Sequence, residues 1–236
     1  MVIRQNGVRC DQYNGETDFM NAKLKKFRHQ YENLKEMVKQ EGFKSTIRKA
    51  VYFNREMVLV ERDLTKPFPK LKQDFDINLI LFGRGSSSRI GELDFPNKAR
   101  ELNGQGYARR GFSAFFGVIG SKVIAEQWWI NSSHIRDKII HPDLKWMELQ
   151  LKEDEIYAFD LFVAPEYRGT PATNKFALTY MNEIRKAGYS KIFGGYFKDN
   201  IPSAWYHRTF SFSERRKIKF HRFFFLKIKN GRLSFA

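Results

Sequence analysis

Residue types able to do chemistry gather in the second half of this chain. Glu126 stands inside the largely apolar run 123–130, and Asp160 inside the otherwise apolar run 156–163. Burial in such a strand raises a carboxyl pKa towards values useful to a base, whereas a solvated strand face does not. From 161 to 174 the chain reads as apolar strand, turn and helix: Leu161, Phe162 and Val163, then Pro165 to Gly169, then Thr170, Pro171, Ala172, Thr173 and Asn174. A helix N-terminus offers unpaired N–H groups and a partial positive charge, a ready site for phosphate. Pro171 suits a first helical position and Thr170 its cap. Beyond it, Asn200 reads as the N-cap of a helix over 201–209 that carries Tyr206 and His207. Helical neighbours lie about 100° apart, so only one of those two rings faces a given site.

Other reactive types lack company. His134 and His141 have no Cys or His at ligand spacing, so no metal is expected. Cys10, the single cysteine, excludes an intrachain disulfide and fits a reducing compartment. Trp128 and Trp129 are adjacent on a strand and point to opposite faces: one to the core, the other to the core or an acceptor pocket.

The elements that must position these residues follow from pattern. Runs 114–119 and 123–130 around Gly120-Ser121 predict a β-hairpin, and a polar insertion fills 131–152. Ala172, Phe176, Tyr180, Met181 and Ile184 mark one face of a helix over 171–187, stopped by Gly188. A strand over 191–197 follows, and from Phe212 two strands share the turn signal Asn230-Gly231. Upstream, residues 1–17 read as loose. Met20, Leu24, Phe27, Tyr31, Leu34 and Val38 stripe a basic helix over 18–40, and 44–52 suit a second short one. Strands over 56–64 and 75–82 flank the break at Lys66-Pro67-Phe68-Pro69, and a helix is expected over 90–103, broken or begun at Pro96.

The charge of +16 on 236 residues attracts anions: nucleic acid, anionic lipid, an acidic protein or a phosphorylated ligand. A hydrophobic share of 42% argues against global disorder. No apolar run reaches about eighteen residues and no signal-peptide core opens the chain, so a cytoplasmic protein is expected. Helix 18–40 packs on the core with a solvated basic face, lies on the inner membrane face, or docks an acidic acyl carrier protein.

Val163, Pro165, Tyr167, Arg168 and Gly169 resemble the donor-binding turn of the GNAT superfamily of N-acyltransferases. Pro171 and Thr173 stand where its signature has glycine and glycine or alanine, which removes one N–H and adds bulk. A second match lies in register: Asn200, Ser203 and Phe212 fit, His207 occupies the position of the family tyrosine, and Ser211 replaces a glycine. The resemblance covers about half of the chain, 113–229. It implies an α/β (α+β) fold: a mixed, mostly antiparallel splayed sheet flanked by helices, on 56–236, behind a basic helical extension, 1–55. It further implies acetyl-CoA or another acyl-CoA as donor, its pantetheine in the splay beside 156–163 and its pyrophosphate at Arg168, Gly169, Thr170, Ala172, Thr173 and Asn174. Asn200 would hold the donor arm. Tyr206 or His207 would protonate the leaving thiolate, with Glu126 or Asp160 as base, and a primary amine would attack directly. A long-chain enzyme using acyl carrier protein, and a non-catalytic module binding anionic membrane or nucleic acid, are the alternatives.

Overall fold

The computed structural model describes residues 52–70, 73–83, 87–223, 226–229 and 232–235, together with Tyr31, Lys35, Val38, Lys39, Gly42 and Phe43. The expected segment 1–17, most of helix 18–40 and all but Tyr52 of helix 44–52 lie outside them. The chain forms two compact units, Met1–Thr46 and Ile47–Ala236. In the first, Tyr31, Lys35, Val38 and Lys39 are helical, and Gly42 takes the left-handed φ of 80° that suits a helix stop.

The second unit is built on one sheet. β1 (Tyr52–Asp63) takes in Tyr52, placed in a helix by the sequence reading, because its pairing with β7 (Ser213–Phe223) begins at Tyr52↔Phe223. It ends where Asp63 accepts hydrogen bonds from the Thr65 N–H and hydroxyl, at 2.9 and 2.6 Å. β2 (Asn78–Phe82) is shorter than expected, since Phe75 packs edge-on against Tyr167 instead of joining the ladder. The helix expected over 90–103 is two pieces: a 3₁₀ turn, Ser87–Glu92, and α1 (Lys98–Arg109). Pro96 divides them, and Asn97 caps α1 by accepting from Arg100 N. α1 runs on through Gly104, where a Cβ would lie 3.2 Å from both Ile90 and Phe95.

β3 (Ser113–Ile119) and β4 (Lys122–Asn131) form the expected hairpin. The insertion holds α2 (Ser132–Arg136) and α3 (Pro142–Trp146), capped by the side chains of Asn131 and His141. β5 (Glu155–Val163), α4 (Pro171–Lys186), β6 (Lys191–Phe197) and α5 (Ile201–Thr209) lie as the pattern predicts. After β7 come β8 (Leu226–Lys229) and β9 (Arg232–Phe235), three strands where two were expected. Lys229 pairs with Arg232, bracketing Asn230-Gly231, which lie outside the described residues.

Strand order is β2-β3-β4-β5-β6-β1-β7-β8-β9, antiparallel except between β5 and β6. Both faces are apolar. On one, the predicted stripe of α4 packs with Ile156, Ala158 and Ile192. On the other, Phe112, Phe116, Trp128, Tyr157 and Phe159 make the larger cluster. Each such side chain contributes about 1.5–3 kcal/mol on burial. Trp128 and Trp129 do part to opposite faces, and both join a core; Trp129 stacks on Phe115. Among the described residues no helix is long and apolar enough to cross a membrane.

Candidate donor cleft and active site

The parallel pair β5–β6 bonds over three positions only, Glu155↔Lys191, Ile156↔Ile192 and Tyr157↔Phe193. Beyond them β5 stays with β4 as far as Val163, and β6 stays with β1 as far as Phe197. The sheet therefore opens into a V. A bulge in β5 accompanies the parting: Trp128 pairs with Phe159 but Glu126 with Phe162, so Asp160 and Leu161 oppose Gln127 alone. Asp160 takes a left-handed φ of 48°. The Gln127 amide fills the broken ladder by donating to Phe159 O at 2.8 Å and Trp128 O at 3.1 Å.

A cleft of about 260 Å³ lies between the end of β5 and the starts of α4 and α5. It gathers Leu161, Val163, Arg168, Gly169, Thr173 and Asn200 from the expected donor set and adds Ser203, Trp205 and Tyr206. Phe162 turns to the other face, its ring 4.7 Å from the Arg100 guanidinium. Ala172 is buried in the core. Thr170, Asn174 and His207 are not among the residues lining the cleft, and among the described residues Asn174 Oδ1 is buried without a partner.

The turn is locked by its own side chains. Arg168 Nε donates to Val163 O at 2.9 Å, and Gly169 takes φ 71°, open to glycine without strain. The Thr170 and Thr173 hydroxyls both donate to Tyr167 O at 2.7 Å. Pro171 has no N–H, and that of Thr173 donates to Thr170 O at 3.2 Å. Asn200 does cap α5, accepting from Ser203 N at 3.2 Å, while lining the cleft.

Neighbours Tyr206 and His207 diverge as helical geometry requires. Tyr206 is buried and its hydroxyl pairs with that of Tyr180 at 2.7 Å. Burial pushes both phenols above their ordinary range. His207 stacks on Tyr196, with centroids 5.0 Å apart, and meets Phe212 edge-on. Its Nδ1 lies 2.7 Å from Ser203 O. A carbonyl only accepts, so Nδ1 carries hydrogen and, in the neutral ring, Nε2 is bare. Burial pulls the imidazole down to about 4, against the opposing Ser203 bond.

The two carboxylates converge on one cation that no motif announced. Arg100 Nε donates to Glu126 at 2.6 Å, and its two terminal nitrogens donate to Asp160 at 3.1 Å each. Glu126 also accepts from Trp128 Nε1 at 2.8 Å and is fully buried, so it is not on a solvated strand face. Burial pushes its carboxyl up while Arg100 pulls the other way. Burial opposes the Arg100 charge as well, and the two carboxylates more than offset it.

His134 and His141 make structural contacts. His134 links Ser113 Oγ, 3.1 Å from Nε2, to Asn131 Oδ1, 2.5 Å from Nδ1. That order suits a nucleophile relay, but all three residues are buried and none lines the donor cleft. His141 packs on Phe159 at 4.1 Å, and burial lowers its pKa. Among the described residues no three His, Cys, Asp or Glu side chains converge as metal ligands.

No family model matches the chain, and no curated protein matches it. Solved structures similar to it include a tandem GNAT protein from the clavulanic acid biosynthesis pathway, with TM-score 0.49 and 12% identity over 76% of this chain and 55% of that one. A GNAT-family acetyltransferase from Colwellia psychrerythraea gives TM-score 0.44 and 12% identity over 77% and 61%. A functionally unknown conserved protein from Staphylococcus epidermidis ATCC 12228 gives TM-score 0.46 and 13% identity over 77% and 66%. The chain spans between about half and two thirds of their lengths. Its own sheet is mixed and mostly antiparallel, parts beside β5 and carries a strand–turn–helix at the opening, as the resemblance implies.

Proposed function

We propose that the chain is an N-acyltransferase that moves an acyl group, acetyl first among candidates, from a CoA thioester to an amine by direct attack. The observation that carries this is the cleft itself. It joins the end of β5, the turn into α4 and the start of α5 beside a sheet that has parted at one seam. Unpaired strand edges along Leu161 and Val163 suit the amides of pantetheine. The donor's phosphates would approach the N–H groups of Gly169, Ala172 and Asn174, since Pro171 and Thr173 cannot supply theirs. The reaction then rests on positioning two bound reactants, which by itself is worth about 7–11 kcal/mol of barrier in well-oriented cases.

Thermal unfolding of the purified chain with acetyl-CoA, longer acyl-CoAs and CoA tests the donor site. Ligand at a hundred times its Kd stabilises the folded state by about 2.7 kcal/mol. The expected result is a rise in Tm for one chain length, abolished in Arg168→Glu relative to that variant's own unliganded Tm. No rise with any of these ligands removes CoA thioesters as donors.

A further inference from the structure

We propose that the outer flank of α5 holds a second ligand site, separate from the donor cleft, that takes a small organic anion: a carboxylate or phosphate group on a flat apolar body. The inference goes beyond the acyl-transfer reading and does not depend on it.

Two periodicities build the site. Along α5, Ile201, Ala204, Trp205 and Arg208 stand at i, i+3, i+4 and i+7 and fall on one side of the helix. Asn200 and Ser203 belong to the donor side. Beneath the outer stripe, the sheet register sets Tyr196 of β6, Val58 of β1 and Lys217 of β7 in one row, Val58 pairing with both. Side chains alternate along a strand, so Lys198, two residues beyond Tyr196, shares their face. Val58 and Tyr196 are buried, and Ala204 packs over them. A side chain as small as alanine does not fill the space between helix and sheet. A concavity of about 280 Å³ remains there, with Glu214 at its margin. Ligand pockets commonly begin at about 300 Å³, so this space suits a small molecule.

The lining selects the occupant. Lys198, Arg208 and Lys217 set three cations around the opening, against the one carboxylate of Glu214. That carboxylate is already engaged by Lys217 at 3.5 Å and by the Tyr196 hydroxyl at 3.3 Å. Lys198 reaches Glu56 at 3.2 Å. Both lysine side chains are more than half exposed. Ion pairs that open to water are worth about 0–1 kcal/mol, so an incoming anion can recruit either lysine at little cost. Among the described residues no carboxylate pairs with Arg208, whose planar fork matches carboxylate and phosphate alike.

The apolar part of the lining defines the rest of the ligand. Ile201 and Trp205 are large apolar side chains left open to water beside the floor of Val58 and Tyr196. A flat body laid against the indole would cover them and gain the area it removes from water. A bare anion lacks that gain, and a neutral aromatic lacks the charge. β7 also supplies an internal control. Arg216 pairs with Leu59, so it faces the other side of the sheet, where it donates to Glu148 at 3.3 Å.

Carbon-13 NMR of the isoleucine methyls of the full chain tests the site. Ile201, assigned by loss of its signal in Ile201→Val, lines this concavity and not the donor cleft. Phenyl phosphate and indole-3-acetate should each shift that methyl saturably, with a Kd of about 1 mM or below. Inorganic phosphate and indole-3-acetamide, each with half of the chemistry, should bind roughly ten times more weakly or not at all. Arg208→Glu, and separately Lys217→Glu, should weaken phenyl phosphate by roughly tenfold, whereas Arg216→Glu, with the same change in net charge, should not. No saturable shift with either probe up to about 10 mM, or equal weakening in Arg216→Glu, overturns the site. Acetyl-CoA in excess should leave the phenyl phosphate shift in place. Displacement by acetyl-CoA that vanishes in Arg168→Glu makes the concavity an arm of the donor cleft and overturns a separate site. Thermal unfolding with CoA thioesters judges the donor reading independently: a saturable Ile201 shift without any such stabilisation keeps the flank site and removes the donor.

Discussion

Replacing His207 by Phe should flatten the acid side of the stability profile. The folded-state value of His207 is held to about 4, against 6.5 for a free histidine. As pH falls, the unfolded chain takes up the proton first, so the unaltered protein loses stability from about pH 6.5 down to about 4. At 1.36 kcal/mol per unit, the full loss is about 3 kcal/mol, of which about 2 kcal/mol is gone by pH 5. Phe keeps a ring against Tyr196 and gives up the bond to Ser203, a cost of about 1 kcal/mol that does not vary with pH. His141, also lowered by burial, contributes the same sign in both proteins and cancels in the comparison. Urea unfolding at pH 7, 6 and 5 measures the difference. The expected result is a variant weaker at pH 7 that matches or exceeds the unaltered protein at pH 5. Parallel profiles would refute the claim that this imidazole is held neutral.

Two further substitutions probe the frame of the site. Arg100→Met leaves Glu126 fully buried without its cation and should cost about 3–5 kcal/mol, partly restored by adding Glu126→Gln; urea midpoints of single and double variants read both effects. Gly117→Ala should lower stability by about 1–3 kcal/mol in thermal melts, because its Cβ would meet Ile77 at 2.6 Å and Phe176 at 2.8 Å.

What could be read in the sequence follows the range of the forces involved. The hairpin β3–β4, helix α4 with its buried stripe, strand β6 and helix α5 are specified by neighbours in the chain, and the pattern places them well. Arg100 escaped because its partners lie far along the chain and meet it only across the sheet. The sequence picks out Glu126 and Asp160 as unusual but does not show that they share one guanidinium. The bulge at Asp160 is equally silent, since an aspartate within an apolar run carries no mark of a left-handed φ. The early start of β1 depends on β7, near the far end of the chain. Neighbours Tyr206 and His207 were candidates for one role, and a single turn of helix assigns them to different surroundings.

The place of β1 in the sheet also bears on how the chain is made. It is the earliest described strand, yet its ladders are with β6 and β7, among the latest to be synthesised. During translation its apolar centre, Met57 to Val60, must wait with both edges unpaired while the hairpin and α4 emerge and can pack. Long-range pairing of this kind slows folding and leaves a sticky strand exposed meanwhile. A nascent chain halted before β6 should therefore be held by chaperones through β1, and polar substitutions in Met57 to Val60 should improve its solubility while ruining the finished fold.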